Sequence, residues 1–128
     1  MVLNDSDLAS IETPQDAERL VQRLLPGLTP NEAGFFFRSA EQQLLTYALI
    51  RTTQGEIRQV DRVYSILAQD VQTLTGQFKG PQSPELQAYP DALAPLGPPR
   101  LMHAQWGVAR SLGIQNPGEK TQQSQPGV

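Results

Sequence analysis

The chain contains no cysteine and a single histidine. Without cysteine there is no disulfide, no thiolate nucleophile, no iron–sulfur cluster and no cysteine-based zinc site, and one histidine excludes paired-histidine metal motifs. Aromatic residues are scarce, at 6%, which suits one modest core and not a large enzyme around a deep cleft. No apolar run approaches the ~18 residues of a membrane-spanning helix. The acidic amino-terminal segment lacks the layout of a signal peptide. A basic excess is missing too: 10 Lys and Arg stand against 13 Asp and Glu, for a net charge of -3. No bulk positive charge therefore advertises nucleic acid or an anionic membrane. The phosphate-loop, dinucleotide and nucleophile-elbow signatures are absent. The acidic residues show neither calcium-loop spacing nor that of a carboxylate-bridged metal site. The expectation is a soluble, cytoplasmic chain with no metal, no cofactor and no enzymatic activity of its own.

What remains is helical patterning over 128 residues, enough for one domain. Residues 1–12 show no sustained period and read as an irregular lead-in. At Thr13-Pro14-Gln15-Asp16 a helix starts: Thr13 caps, Pro14 suits the first helical position, and Asp16 favours the positive end. Ala17, Leu20, Val21, Leu24 and Leu25 then form one apolar stripe, ended by Pro26-Gly27. Thr29-Pro30-Asn31-Glu32 has the form of a capping box and predicts a second helix to about Thr53, stopped by Gly55. Ala33, Phe36, Phe37, Ala40, Leu44, Tyr47 and Ala48 share one arc of it, while Phe35, Leu45, Leu49 and Ile50 lie outside. A helix with two apolar sides is a central one, touched by several neighbours.

A third helix is predicted over 56–78, with Ile57, Val60, Val63, Tyr64, Leu67, Val71, Leu74 and Phe78 in helical register. A short loop at Gln54 and Gly55 makes it antiparallel to the second. Six prolines and two glycines over 80–99 predict an ordered loop with at most a short turn at 85–88. A last helix over 99–112 should bury Met102, Trp106, Ala109 and Leu112. No strand pattern and no internal repeat is visible. The expected fold is all-α, a bundle of about four main helices over residues 1–114, with a proline-rich loop and a disordered tail over 115–128.

Few residues point to chemistry. His103 lacks a motif partner and reads as a lone surface or half-buried histidine before it reads as a base. Phe36 and Phe37 fit the core stripe, whereas Phe35 must meet another element, a partner or solvent. Trp106 reads as a core anchor. Eight of the ten cationic residues are arginine. Arg19 and Arg23 sit one turn apart on the first helix, Arg58 and Arg62 one turn apart on the third. Ser65 and Gln69 continue a polar track beyond Arg62. Either arginine pair could grip phosphates or an acidic partner, or face solvent.

Several stretches resemble one family in order. These are Val2-Leu3-Asn4 with Leu8 and Ile11, the Asp16-Ala17-Glu18-Arg19 helix, and Glu32 to Phe36 ahead of Ser39-Ala40-Glu41-Gln42-Gln43-Leu44-Leu45. Gly55-Glu56-Ile57-Arg58-Gln59-Val60 with Leu67, and then Ala104-Gln105-Trp106-Gly107-Val108-Ala109, continue the series. Together they resemble the all-alpha domain of the coupling proteins of type IV secretion and conjugation, a helical insertion in a ring-forming ATPase. The family's nucleotide-binding motifs are absent here, as expected of the insertion alone. The proline-rich stretch departs from the family's more helical course.

The resemblance implies a receptor at the cytoplasmic mouth of a membrane-spanning secretion channel. Its partners would be a relaxase or another secreted protein, single-stranded DNA weakly, and the ATPase domain of the same coupling protein, with no membrane insertion by this chain. The candidate contact residues are Arg58, Arg62, Ser65 and Gln69, then Arg19, Arg23 and Phe35. A free-standing helical adaptor or chaperone, binding secreted proteins through a groove flanked by Phe35, is the alternative.

Overall fold

A computed structural model describes residues 3–56 and 58–113. In chain order they form α1 (Asp5–Ala9), α2 (Pro14–Leu24), α3 (Phe35–Gln54), α4 (Val60–Leu67), α5 (Val71–Lys79), α6 (Ala88–Leu93) and α7 (Pro98–Leu112). One turn of 3₁₀ helix, Ala94–Leu96, precedes α7. No strand occurs among the described residues, so the class is all-α as the sequence predicts. The count is seven helices there instead of about four. None of them is long and apolar enough to cross a membrane. The predicted tail over 115–128 and Ile57 of the third apolar stripe lie outside the described residues.

α3 is the axis of the molecule. From Leu44 onward its environment is closed: Leu44, Leu45, Tyr47, Ala48 and Leu49 are all fully buried, on every side of the helix. Its neighbours are α7, α2, α6, α4 and α1. Two polar side chains of this stretch are reconciled with burial locally. Thr46 and Thr52 donate their hydroxyls to the carbonyls of Gln42 and Ala48, four residues back, at 2.7 and 2.8 Å. Glu41 pairs with Arg38 at 3.3 Å.

The amino-terminal helices are set by their caps. In α2 the Thr13 hydroxyl accepts from the Asp16 amide at 3.2 Å, and the Asp16 carboxylate accepts from the Thr13 amide at 3.0 Å. This is the predicted start, with the reciprocal bond added, and the predicted stripe is buried. The lead-in is not irregular. Asn4 and Asp7 form the same reciprocal box around α1, and Leu3, Leu8 and Ile11 are buried beside it. An Asp5 carboxylate oxygen then accepts from the Val60 amide at 2.8 Å, fastening α1 to the start of α4.

Two expectations about helix ends fail for one reason: a backbone carbonyl or amide finds a different partner. Thr29 to Glu32 close a turn, with the Glu32 amide on the Thr29 carbonyl at 2.9 Å, in place of a capping box. The chain then passes through Gly34 at φ 87°, a left-handed conformation that ends any helix arriving from Thr29. α3 starts only at Phe35, so Ala33, Phe36 and Phe37 are exposed and not in the core.

The predicted third helix is likewise two. The buried Gln105 side chain of α7 donates its Nε2 to the carbonyls of Leu67 at 3.0 Å and Gln69 at 2.7 Å. Those carbonyls, freed at the end of α4, are thereby satisfied. Asp70 caps α5 by accepting from the amides of Gln72 and Thr73.

The proline-rich stretch carries α6, with Pro90 in its first turn where a missing amide costs nothing. Leu86, Pro90 and Leu93 are buried, and the Tyr89 hydroxyl donates to Glu18 of α2 at 2.9 Å. α7 follows, beginning one residue earlier than predicted and rotated relative to the expected face. Leu101, Ala104, Gln105, Val108 and Leu112 are buried with Ala109, while Met102 is exposed and Trp106 half-buried. Gly107 lies against the Glu41 side chain of α3, and a larger residue there would require that side chain to move.

Replacing Gln105 by Leu should lower stability by about 1–3 kcal/mol, because two buried or half-buried carbonyls lose their donor. Leu44→Ala should cost about 2–5 kcal/mol, as a side chain fully enclosed by neighbouring helices. Urea melts measure both. A Gln105→Leu loss below about 0.5 kcal/mol, the range of ordinary surface changes, would show that Asp70 alone maintains the break.

Candidate functional site

The large apolar side chains exposed among the described residues are Phe35 (37%), Phe36 (50%), Phe37 (40%) and Met102 (44%). They belong to the first turn of α3 and the second turn of α7. Their exposure follows from the late start of α3: the helix grows out of Gly34 before it reaches the enclosed stretch at Ala40. The aromatic rings are organised. Phe36 and Phe37 meet edge to face at 5.7 Å, the His103 ring rests on Phe37 at 4.4 Å, and the Arg100 guanidinium lies 5.6 Å over Phe36. His103 thus serves as an aromatic neighbour.

Arg100 is the cationic group lying directly over these rings, and other basic side chains of α3 and α7 gather about Glu41. Arg38 donates to the Pro26 carbonyl at 3.3 Å and pairs with Glu41. His103 and Arg110 of α7 act on the same carboxylate, but burial outweighs all three and raises the Glu41 carboxyl above its ordinary 4.5. The acidic side chains at this end are Glu41, buried, and Glu32, in the loop before α3. The face is therefore apolar with a guanidinium over it, on a chain whose net charge is negative.

The sequence-predicted contact residues do not form one surface. Arg58 precedes α4 and donates to the Ile11 carbonyl at 3.3 Å, so it does not share a helix face with Arg62. Arg62, Ser65 and Gln69 do converge. They line a cleft of about 600 Å³ together with Arg51, Gln54 and Gln77. Arg19 pairs with Asp16, and Arg23 lies 3.9 Å from Asp7, so that pair arrives with its own counter-charges. Phe35 is exposed, but so are Phe36 and Phe37, which the core arc included. Sequence reasoning missed Arg38, Arg51 and Arg100. For Arg51 a signal existed: the antiparallel arrangement expected of the second and third helices places its end of α3 beside Arg62. For Arg100 none did, since its partner Phe36 was assigned to the core. Among the described residues no group of His, Asp and Glu is placed to hold a metal ion. No protein-family model, curated protein or solved structure matches this chain.

The carboxyls define a pH dependence of stability. Glu41, raised by burial, binds its proton more readily in the folded chain than unfolded. Its stabilising effect is complete below 4.5 and is lost as pH rises through its raised value. Asp16 is the reverse. Amide donors from Glu12, the Arg19 guanidinium and the Thr13 amide lower it from 3.8 to about 2, so its contribution is present above 3.8 and lost as pH falls toward 2. Thermal melts should show Glu41→Gln raising Tm at pH 7 and having little effect near pH 4. A lowered Tm at pH 7 would mean that the Arg38 pair outweighs the burial.

Proposed function

We propose that this chain is the substrate-recognition domain of a coupling protein of type IV secretion or conjugation, and that it receives protein cargo on the aromatic, basic face of α3 and α7. The exposed cluster of Phe36, Phe37 and Arg100 carries this reading. Aromatic and arginine side chains are the ones that dominate the energy of protein interfaces when a partner desolvates them. The occupant is a protein segment with acidic side chains beside apolar anchors. Apolar groups of the segment would cover the phenylalanines, and a carboxylate beside them would meet Arg100. The resemblance in the helical stretches supports the coupling-protein context, and the all-α fold is compatible with it.

Under this reading the domain performs no chemistry. ATP hydrolysis belongs to the ring in which it is inserted, on the cytoplasmic side of the membrane. Single-stranded DNA is the weaker ligand, because stacking on two rings would have to overcome the chain's net charge of -3. A free-standing adaptor would use the same face. The reading frame separates the two, since the coupling-protein reading requires Walker-type segments on both sides of this sequence.

Phe36→Ser with Phe37→Ser should keep the fold while lowering stability by about 1–3 kcal/mol, since half or more of each ring is covered. In the intact coupling protein the double change should weaken relaxase binding at least about tenfold, the usual scale for losing an aromatic anchor, and reduce transfer. Calorimetric titration of purified relaxase reads the first effect. Full relaxase affinity in the variant would rule this face out as the receptor. Loss of oligonucleotide binding with relaxase binding intact would reassign the face to DNA.

A further inference from the structure

The aromatic face stands at the shared start of two helices. Phe36 meets Arg100, Phe37 meets His103 and Glu41 meets Gly107, so residue numbers rise together along α3 and α7. The two helices therefore run parallel, and their starts, after Gly34 and Gly97, lie at the same end. A helix start carries about half a positive charge from its unpaired amides. α1, α2, α4, α5 and α6 each offset theirs with an aspartate at the cap or in the first turn. α3 and α7 have no acidic residue in the first turn and no side-chain cap. Glu32 is the acidic residue of the loop before α3, and its carboxylate caps neither helix.

Arg100 adds a full charge to this end. It is the third residue of α7, where a cation opposes the helix dipole, and it has no ion-pair partner among the described residues. Its guanidinium lies 5.6 Å over the exposed Phe36 ring, so charge and apolar surface are within one side chain's reach. A second copy in a two-fold pair would set Arg100 and both helix starts against their own equivalents, a like-charge contact. A nucleic-acid base needs a free ring face, and one face of Phe36 lies under Arg100 while the His103 ring rests on Phe37. An apolar side chain with a carboxylate next to it meets both needs of the face.

Building on the receptor reading above, we infer that this face selects its protein partner by a carboxylate: an aspartate or glutamate seated on Arg100 at the paired starts of α3 and α7, with an apolar side chain of the same segment over Phe37. The two parts of the face then have separate tasks. Apolar burial is non-directional and scales with area, so the phenylalanines hold acidic and neutral segments alike. Discrimination comes from the charged end, where a carboxylate gains a partner and a lysine meets a like charge. Arg100 is the residue that sets this specificity.

The test is a titration of the full chain, followed by NMR of its backbone amides, with three short peptides blocked at both ends: leucine with glutamate, leucine with glutamine, and leucine with lysine. The glutamate peptide should shift the Phe36, Phe37 and Arg100 amides. The glutamine peptide should bind there at least about tenfold more weakly, the scale of one charge-assisted hydrogen bond, and the lysine peptide more weakly still. Arg100→Gln, at an exposed position, should keep the fold and remove most of the preference, whereas Arg100→Lys should retain more of it. Equal binding of the glutamate and glutamine peptides at these amides overturns the carboxylate inference and leaves the receptor reading standing. Absence of any shift with all three peptides overturns it too, and the relaxase titration of the Phe36 and Phe37 variant then decides the receptor reading separately. Tighter binding of a short oligothymidylate at the same amides, or a concentration-dependent dimer in sedimentation that buries them, overturns the inference in favour of a strand or a second copy.

Discussion

A helix enclosed on every side must find a neighbour for every face, and α3 imposes that requirement on the rest of this chain. Leu44 and Ala48 need a surface on one side, Leu45 and Leu49 on another, with Tyr47 reaching the Phe78 ring of α5 at 5.1 Å. Short helices meet this need better than long ones in a chain of this length, since each can approach α3 in its own direction. That is why the lead-in, the proline-rich stretch and the predicted third helix are divided into small elements. The first turn of α3, which lies beyond the enclosed stretch, is where its three phenylalanines remain exposed.

Much of this was legible in the residues. The α2 start could be read from Thr13, Pro14 and Asp16, because a cap is a local bargain between neighbouring groups. The central role of α3 could be read from apolar residues on two of its sides. The division of α4 from α5 could not. Val63, Leu67, Val71, Leu74 and Phe78 keep helical spacing straight through the break, and all are buried. The group that accepts the break, Gln105, lies far away in sequence. Its role exists only once α7 has docked.

The site was less legible than the fold, for the same reason. Arg58 and Arg62 share a face only if one helix contains both, and α4 starts after Arg58. The phenylalanine run matched a core arc by phase alone. Phase says which side of a helix a residue occupies, but not how far along the axis the neighbouring helices extend. The Gly34 turn decides that. In α7 the face was misjudged through Met102 and Trp106, the largest apolar side chains, whereas small residues determine where two helices approach most closely. Arg62, Ser65 and Gln69 survived as a group because they fall within one helix and the turn that follows it.

The contact between Gly107 and Glu41 also bears on how this sequence could vary. A methyl group at 107 has room only if the side chain at 41 retracts or shortens, and a shorter residue at 41 leaves space that glycine does not fill. The two positions are therefore coupled in drift: an alanine at 107 would be tolerated after position 41 has become small, and would be disfavoured before it. The order of the two changes matters. Arg38 is drawn into the same coupling, since a neutral residue at 41 releases it from its ion pair and frees its charge for the surface. Lineages that crossed this step would present a more positive face around the phenylalanines without gaining a single basic residue.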